Sequence, residues 1–253
     1  MPQPILWTHA FIDRPLQLFD RACAFWSAVT NTRLSRLRGD RQEFVTLVPA
    51  GADACVKVQG VMAGEGGAHL DFAVDHVPEF VREALELDAE LVADHGRWAV
   101  LASPAGQLFC VGPWWHGESV RPPVVRRSRL DQVCIDVPPS LYAAEVAFWS
   151  ALMPGWESLP GSLPEFHVVA PPPGLPIRIL LQRLDEERPV SAHLDLACAD
   201  IEATRAQHER LGASLVARER HWTVMRDPAG GTYCLTGRDP VTGGLPRRTG
   251  GVR

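Results

Sequence analysis

The sequence predicts an α+β fold made of two tandem copies of one domain, each copy holding two strand-helix-strand-strand-strand units. Three observations predict it. The first is an internal repeat: "AFWSA" at 24–28 returns at 147–151 and "ID" at 12–13 returns at 135–136, a constant offset of 123 positions. From "HLD" onward the offset is 124, pairing "AHLDFA" at 68–73 with "AHLDLA" at 192–197 and "SPAG" at 103–106 with "DPAG" at 227–230. One register held across a hundred residues means duplication, and a missed repeat misreads a fold. The second observation is that hydrophobic period switches between 2 and 3.6 in the same order in both copies. The third is length: 253 residues suit two domains of ordinary size.

The elements follow in order. Residues 5–12 form an apolar stretch suited to a strand. In "LQLFDRACAFWSAVT" at 16–30, Leu18, Ala22, Phe25, Trp26 and Val29 share one helical stripe, which places Trp26, and Trp149 in the second copy, in the core. "QEFVTLV" and "ACVKVQGV" alternate as strands. "HLDFAVD" is a strand, and "PEFVREALELDAEL" opens a helix with Pro78 and continues the stripe through Phe80, Val81, Ala84, Leu85 and Leu87. "RWAVLAS" and "QLFCVG" are strands again, with Trp98 and its counterpart Trp222 read as packing residues. Domain 1 is expected over 1–113, a linker over 114–129, domain 2 over 130–238 and a flexible tail over 239–253.

Composition excludes several classes. Hydrophobic content of 46%, charged content of 22% and net charge −5 describe a globular protein without a nucleic-acid footprint. The one basic cluster, Arg121, Arg126, Arg127 and Arg129, sits among prolines and reads as a solvated linker. No apolar run is long enough to span a membrane, and "MPQPILWTHAFIDRP" lacks a basic start and apolar signal core, so no membrane partner and a cytoplasmic location are expected. Six dispersed cysteines without a CxxC pair read as reduced thiols. "WWH" at 114–116 is expected to pack between the copies or to cap a pocket.

The repeated His-Leu-Asp is the first chemical signal. Side chains alternate along a strand, so His69 and Asp71 share one face while Leu70 and Phe72 take the other, and His193 and Asp195 do the same. An imidazole and a carboxylate on one face can orient each other for binding or proton transfer, or form a structural hydrogen bond kept after duplication. Asp13, four residues after His9, either faces inward or ends its strand before Pro15.

The doubled order of "ID…FWSA", "HLDL-A" and "DPAGG-YC" resembles the glyoxalase/bleomycin-resistance/dioxygenase family, the vicinal oxygen chelate superfamily, in its glyoxalase-like branch. The resemblance covers nearly the whole chain outside linker and tail. It implies half-open barrels whose concave faces hold a small molecule, often beside a divalent metal. The family's four ligand positions fall on His9, Gln59, His69 and Cys110 in the first copy and on Gln132, Gln182, His193 and Cys234 in the second. Both family carboxylates are absent in both copies, which disfavours a hard ion or an iron triad, and with it extradiol dioxygenase chemistry. Zinc through His9, His69 and Cys110, or no metal, is the cofactor expectation, and no metal is expected in the second copy. Cys110 and Cys234 read equally as small core residues.

These readings converge on a glyoxalase-like protein acting on a small oxygenated metabolite by lyase or isomerase chemistry, with His69 or His9 moving the proton and Asp71 orienting it. Gln59, Gln132, Gln182, His193 and Asp195 are expected to line the binding faces. The alternative is a metal-free binding protein of the drug-sequestering type. A third reading has one copy binding the ligand while the other serves only as its packing partner, and the chain is expected as a monomer of pseudo-dimeric copies or as a homodimer.

Overall fold

The computed structural model describes residues 4–114 and 117–245. The first copy runs β1 (Trp7–Pro15), a single 3-10 turn, α1 (Phe19–Thr30), β2 (Arg33–Leu34), β3 (Phe44–Val48), β4 (Val56–Val61), β5 (Gly67–Val74), α2 (Val77–Glu86), β6 (Glu90–Asp94), β7 (Ala99–Ala102) and β8 (Leu108–Pro113). The second repeats it as β9 (Ser128–Val137), α3 (Tyr142–Leu152), β10 (Glu157–Pro160), β11 (Phe166–Ala170), β12 (Arg178–Arg183), β13 (Ser191–Cys198), α4 (Ile201–Arg210), β14 (Ser214–Arg218), β15 (Trp222–Arg226) and β16 (Thr232–Thr236). These are four strand-helix-strand-strand-strand units.

Each copy makes one eight-stranded sheet, ordered β2-β3-β4-β1-β5-β8-β7-β6 and β10-β11-β12-β9-β13-β16-β15-β14. The opening strands of the two units in a copy, β1 with β5 and β9 with β13, pair antiparallel at the centre, so residues from both units meet there. Alternation along β5 sends Leu70 and Phe72 into the core and leaves His69 and Asp71 half-buried on the opposite, concave face.

Helix α2 ends five residues earlier than the periodicity of 78–91 suggests. Asp88 adopts a left-handed conformation (φ 68°), which stops the helix, and Leu91 passes into strand β6. Helix α4 is capped by Asp200, whose Oδ1 accepts from the Ala203 N–H at 3.0 Å.

The two copies share one core, and the repeated "AFWSA" explains how. Phe25 and Trp26 of α1 pack against Tyr233 of β16, and Phe148 and Trp149 of α3 pack against Phe109 of β8. Both tryptophans are fully buried, and each indole N–H donates to a buried carboxylate at the junction. Trp26 reaches Asp227 at 3.0 Å and Trp149 reaches Glu145 at 2.8 Å. Asp227 also holds Arg14 at 2.7 Å, and Glu145 accepts from the Ala105 N–H at 3.0 Å, so each copy is tied to a turn or strand of the other.

Residues 239–245 do not hang free, in contrast to the expectation for 239–253. Asp239 Oδ1 accepts from the N–H groups of Val241 and Thr242, and the Gly243 carbonyl accepts from Arg178 and Arg238. No helix among the described residues is long and apolar enough to cross a membrane.

Candidate functional site

Strand register assembles the site. Across the first sheet His9, Asp71 and Cys110 lie in one row, while Lys57, Phe11 and His69 lie in the next and Gln59 pairs with Asp13 beyond it. All eight line a cavity of about 880 Å³ on the concave face. The second sheet has the same rows: Arg178, Gln132, Asp195 and Cys234, then Leu180, Cys134 and His193, then Gln182 and Asp136. Its cavity is about 120 Å³ and includes Leu245 from the carboxy-terminal turn in its wall.

In each copy a histidine sits between two carboxylates. His69 Nδ1 is 2.6 Å from Asp13 Oδ2 and its Nε2 is 3.6 Å from Asp71 Oδ1. His193 Nδ1 is 3.0 Å from Asp136 Oδ2 and its Nε2 is 3.5 Å from Asp195 Oδ1. This is the physical content of the repeated "ID" and "HLD": the two motifs supply the two acids of one histidine. The sequence carried the signal in "ID" at 12–13 and 135–136, but periodicity alone did not join it to a strand some 56 residues away. Burial works to strip the His69 proton, yet the charge and hydrogen bond of Asp13, with Cys110 and Asp71, hold its pKa well above the ordinary range. His69 is therefore an imidazolium.

His9 is the opposite case. Burial and then the Lys57 ammonium push its pKa down to about 3, so it is a neutral imidazole. Its ring makes no hydrogen bond among the described residues and faces the cavity near Trp114, 6.3 Å between ring centroids. Trp114 also packs on Trp7 and so caps the cavity end; Trp115 and His116 of the same motif lie outside the described residues. Trp98, expected to pack rather than to line the cavity, takes the wall. It is 41% exposed, stacks on His95 and lines the first cavity, whereas Trp222 meets Phe166 edge-to-face at the second.

Lys57 was not foreseen, although it shares the face of Gln59 at a spacing of two. Its Nζ is 3.2 Å from Asp71 Oδ2 and 4.9 Å from the centre of the Phe11 ring. Arg178, Cys134 and Asp136 were missed in the second copy because no family position falls on them. Gln132 bridges there, accepting from Arg178 Nε at 2.6 Å and donating to Asp195.

Two groups of donors lie close enough to share an ion: His69, Asp71 and Cys110, and Cys134, His193 and Asp195, each with ligand atoms within 4.8 Å of one another. His9 is not gathered into the first group. In donor type that group suits zinc, but in charge it is already satisfied, by the Lys57 ammonium on Asp71 and a proton on each side of His69. Burial and Asp71 also raise the pKa of the Cys110 thiol, which keeps it protonated. The first copy as folded does not fit a divalent cation.

The family model described as a glyoxalase-like domain matches this chain twice, over residues 9–112 and 132–236. The chain belongs to that family. Its tandem glyoxalase-like domains are also similar in fold to solved structures of low identity. The Mn(II)-bound glyoxalase from Novosphingobium aromaticivorans superposes with a TM-score of 0.58 at 15% identity, covering 98% of this chain and 88% of that one. The 2,2',3-trihydroxybiphenyl 1,2-dioxygenase from Sphingomonas wittichii strain RW1 gives a TM-score of 0.61 at 13% identity over 93% and 90% of the two chains. A 4-hydroxymandelate synthase variant from Streptomyces coelicolor gives a TM-score of 0.57 at 12% identity over 93% of each chain. None of the curated proteins compared matches the chain. Family membership and these likenesses fix the fold, and the chemistry has to be argued from the site.

Proposed function

We propose that the first copy binds a small oxygenated metabolite in its cavity and moves a proton within it, without a resident metal, as a lyase or isomerase. The observation that carries this reading is the contrast between two cavity histidines, His9 without a hydrogen-bond partner among the described residues and His69 held between Asp13 and Asp71, surroundings that push the first pKa down and the second up. Environments that push two titratable groups apart assign a base and an acid.

The step balances as follows. A ring nitrogen of His9 takes a proton from the carbon next to a carbonyl; the electron pair of that C–H bond forms the carbon–carbon double bond of an enolate, and the carbonyl π pair passes to the oxygen. Lys57 and the imidazolium of His69 place positive charge beside that oxygen. Lys57 is one of the groups that hold His9 neutral, so a developing oxyanion that screens the ammonium makes His9 more basic as the transition state forms. Return of the proton to a neighbouring carbon gives an isomer; loss of a leaving group gives a lyase product. Asp13 and Asp71 fix the His69 ring, and Gln59 lines the same wall.

The test is exchange of carbon-bound hydrogen in heavy water, read by proton NMR, across a panel of small 2-oxo acids, hydroxyketones and hydroxyaldehydes. Exchange with at least one class is expected, and His9→Ala should slow it about 10²–10⁴-fold, the usual contribution of a general base. Exchange that survives His9→Ala would refute the assignment. A panel member that binds tightly without exchange would instead favour the metal-free binding protein, a reading supported by the missing family carboxylates.

A further inference from the structure

The basic cluster of the linker is only half solvated. Arg126 and Arg127 are exposed at the tip of a two-residue hairpin closed by Val125 and Ser128, which bond N–H to carbonyl in both directions at 2.9 and 2.8 Å. Arg121 and Arg129, on either side of it in sequence, are half-buried, and the Nε of each is sealed from solvent without a hydrogen-bond partner among the described residues. We infer that Arg121 and Arg129 form a binding site for a phosphate group where the linker crosses between the two copies. Neither residue lines either concave cavity, so the site does not depend on the proton transfer proposed above.

Three observations carry it. The first is the pair of orphaned donors. A guanidinium N–H taken out of water and left unbonded carries a desolvation penalty that an oxyanion would remove. The side chain of Arg121 makes no hydrogen bond or ion pair among the described residues, and the one side-chain bond of Arg129 runs from Nη2 to the Val241 carbonyl at 2.6 Å.

The second is charge. The two guanidiniums lie close enough to repel: burial and then the Arg121 charge push the Arg129 pKa down, and both act on the Cys55 thiol, which burial raises to about 12. No carboxylate among the described residues forms an ion pair with any of the four arginines. The nearest acids are engaged elsewhere, Asp131 by Arg238 on both oxygens at 2.7 and 2.8 Å, and Asp239 Oδ1 by the N–H groups of Val241 and Thr242. A phosphate dianion matches two guanidiniums in charge, and its oxygens match their planar forks of Nε and Nη donors. The third is place. Arg129 shares a cleft at the seam with Thr30 and Cys55 of the first copy, Pro122 and Pro123 of the linker, and Leu196 of the second copy. At the hairpin tip beside it, Arg126 and Arg127 hold left-handed backbone, φ 46° and 68°, where Asn-Gly would sit without strain. Two arginines kept there in a chain of net charge −5 add a positive field at the cleft.

Titration of the full chain with inorganic phosphate, read on the arginine Nε–Hε signals in proton–nitrogen correlation spectra, tests the site. Two signals, those lost in Arg121→Gln and in Arg129→Gln, should shift saturably, and acetate at equal ionic strength should leave them in place. Each variant should weaken phosphate binding about 10–100-fold, the loss of a charge-assisted hydrogen bond. Arg36→Gln, the same charge change on an exposed arginine of the first copy, should leave the affinity unchanged. A parallel titration with glycerol phosphate separates the two sources of the group: tighter binding than inorganic phosphate assigns a phosphomonoester, equal or weaker binding the free ion. No saturable shift, an equal shift with acetate, or an unchanged affinity in either variant overturns the site. Should Arg129→Gln not fold, Arg121→Gln decides, and an unchanged affinity there overturns the site.

Discussion

Replacing Arg14 with methionine tests how the two copies are held together. Arg14 is 1% exposed, and its guanidinium meets Asp227 of the other copy twice, Nη2 at 2.7 Å and Nε at 2.8 Å, while Nη1 donates to the carbonyls of Asp13 and Gly67. Asp227 is itself buried and also takes the Trp26 indole and the backbone of Ala229. Arg14→Met keeps the apolar stem but leaves that carboxylate without its charge partner, and removing one partner of a buried pair costs about 3–5 kcal/mol. For a chain of this size, at roughly 2–4 °C per kcal/mol, the melting temperature should fall by about 6–20 °C. Most of the loss should come from the stranded charge rather than from lost attraction. Adding Asp227→Asn, which removes the charge and keeps one acceptor oxygen, for Ala229 and Gly231 or for Trp26 but not for both, should therefore return part of the stability. Urea unfolding of the four chains closes the cycle. A loss under about 1 kcal/mol for Arg14→Met, or strictly additive single losses, would refute a buried pair as the tie between copies.

The remaining predictions concern pH and local structure. Burial alone lowers the His208 pKa to about 4, with its ring bonded to the Tyr233 hydroxyl at 2.9 Å. The folded pKa lies below the unfolded value near 6.5, so the unfolded chain binds the extra proton and stability falls with pH through that window. Relative to His208→Gln, the parent should lose about 2 kcal/mol between pH 7 and pH 5, at roughly 1.4 kcal/mol per pK unit, measured by urea midpoints; parallel pH profiles would contradict a neutral His208. Asp200→Ala should cost about 1 kcal/mol by removing the cap of α4, seen as a small drop in thermal midpoint, and no drop would mean water replaces the cap.

Fold and duplication were legible because they are written in period and register, which are properties of the chain itself. Offsets of 123 and 124 paired the strands correctly, and alternation placed His69 and Asp71 on one face before any contact was known. What stayed hidden was everything decided between strands. Asp13 reaches His69 only because β1 lies antiparallel to β5, and Lys57 reaches Asp71 only because β4 flanks β1 on the far side. Trp98 read as packing rather than lining the cavity because an aromatic opening a strand gives no sign of which face it takes. The stop of α2 at Glu86 turned on one left-handed residue, Asp88, of a type that tolerates that conformation but does not announce it.

Duplication followed by substitution accounts for the different sizes and charges of the two cavities. The histidine between two acids is common to both, so it cannot be the source of the difference. At the row of His9, the second copy has Gln132, and Arg178 stands where the first has Cys55, bonding Gln132 and the Gly243 carbonyl. At the strand exit, Trp114 covers Trp7 in the first copy, while Arg238, its counterpart by the repeat, turns inward to Asp131 and to the same Gly243 carbonyl. Two arginines thus anchor the chain after β16 across the second cavity, which shrinks it from about 880 Å³ in the first copy to about 120 Å³. The larger cavity, with an imidazole that makes no hydrogen bond among the described residues, has the room for a small metabolite that the second lacks.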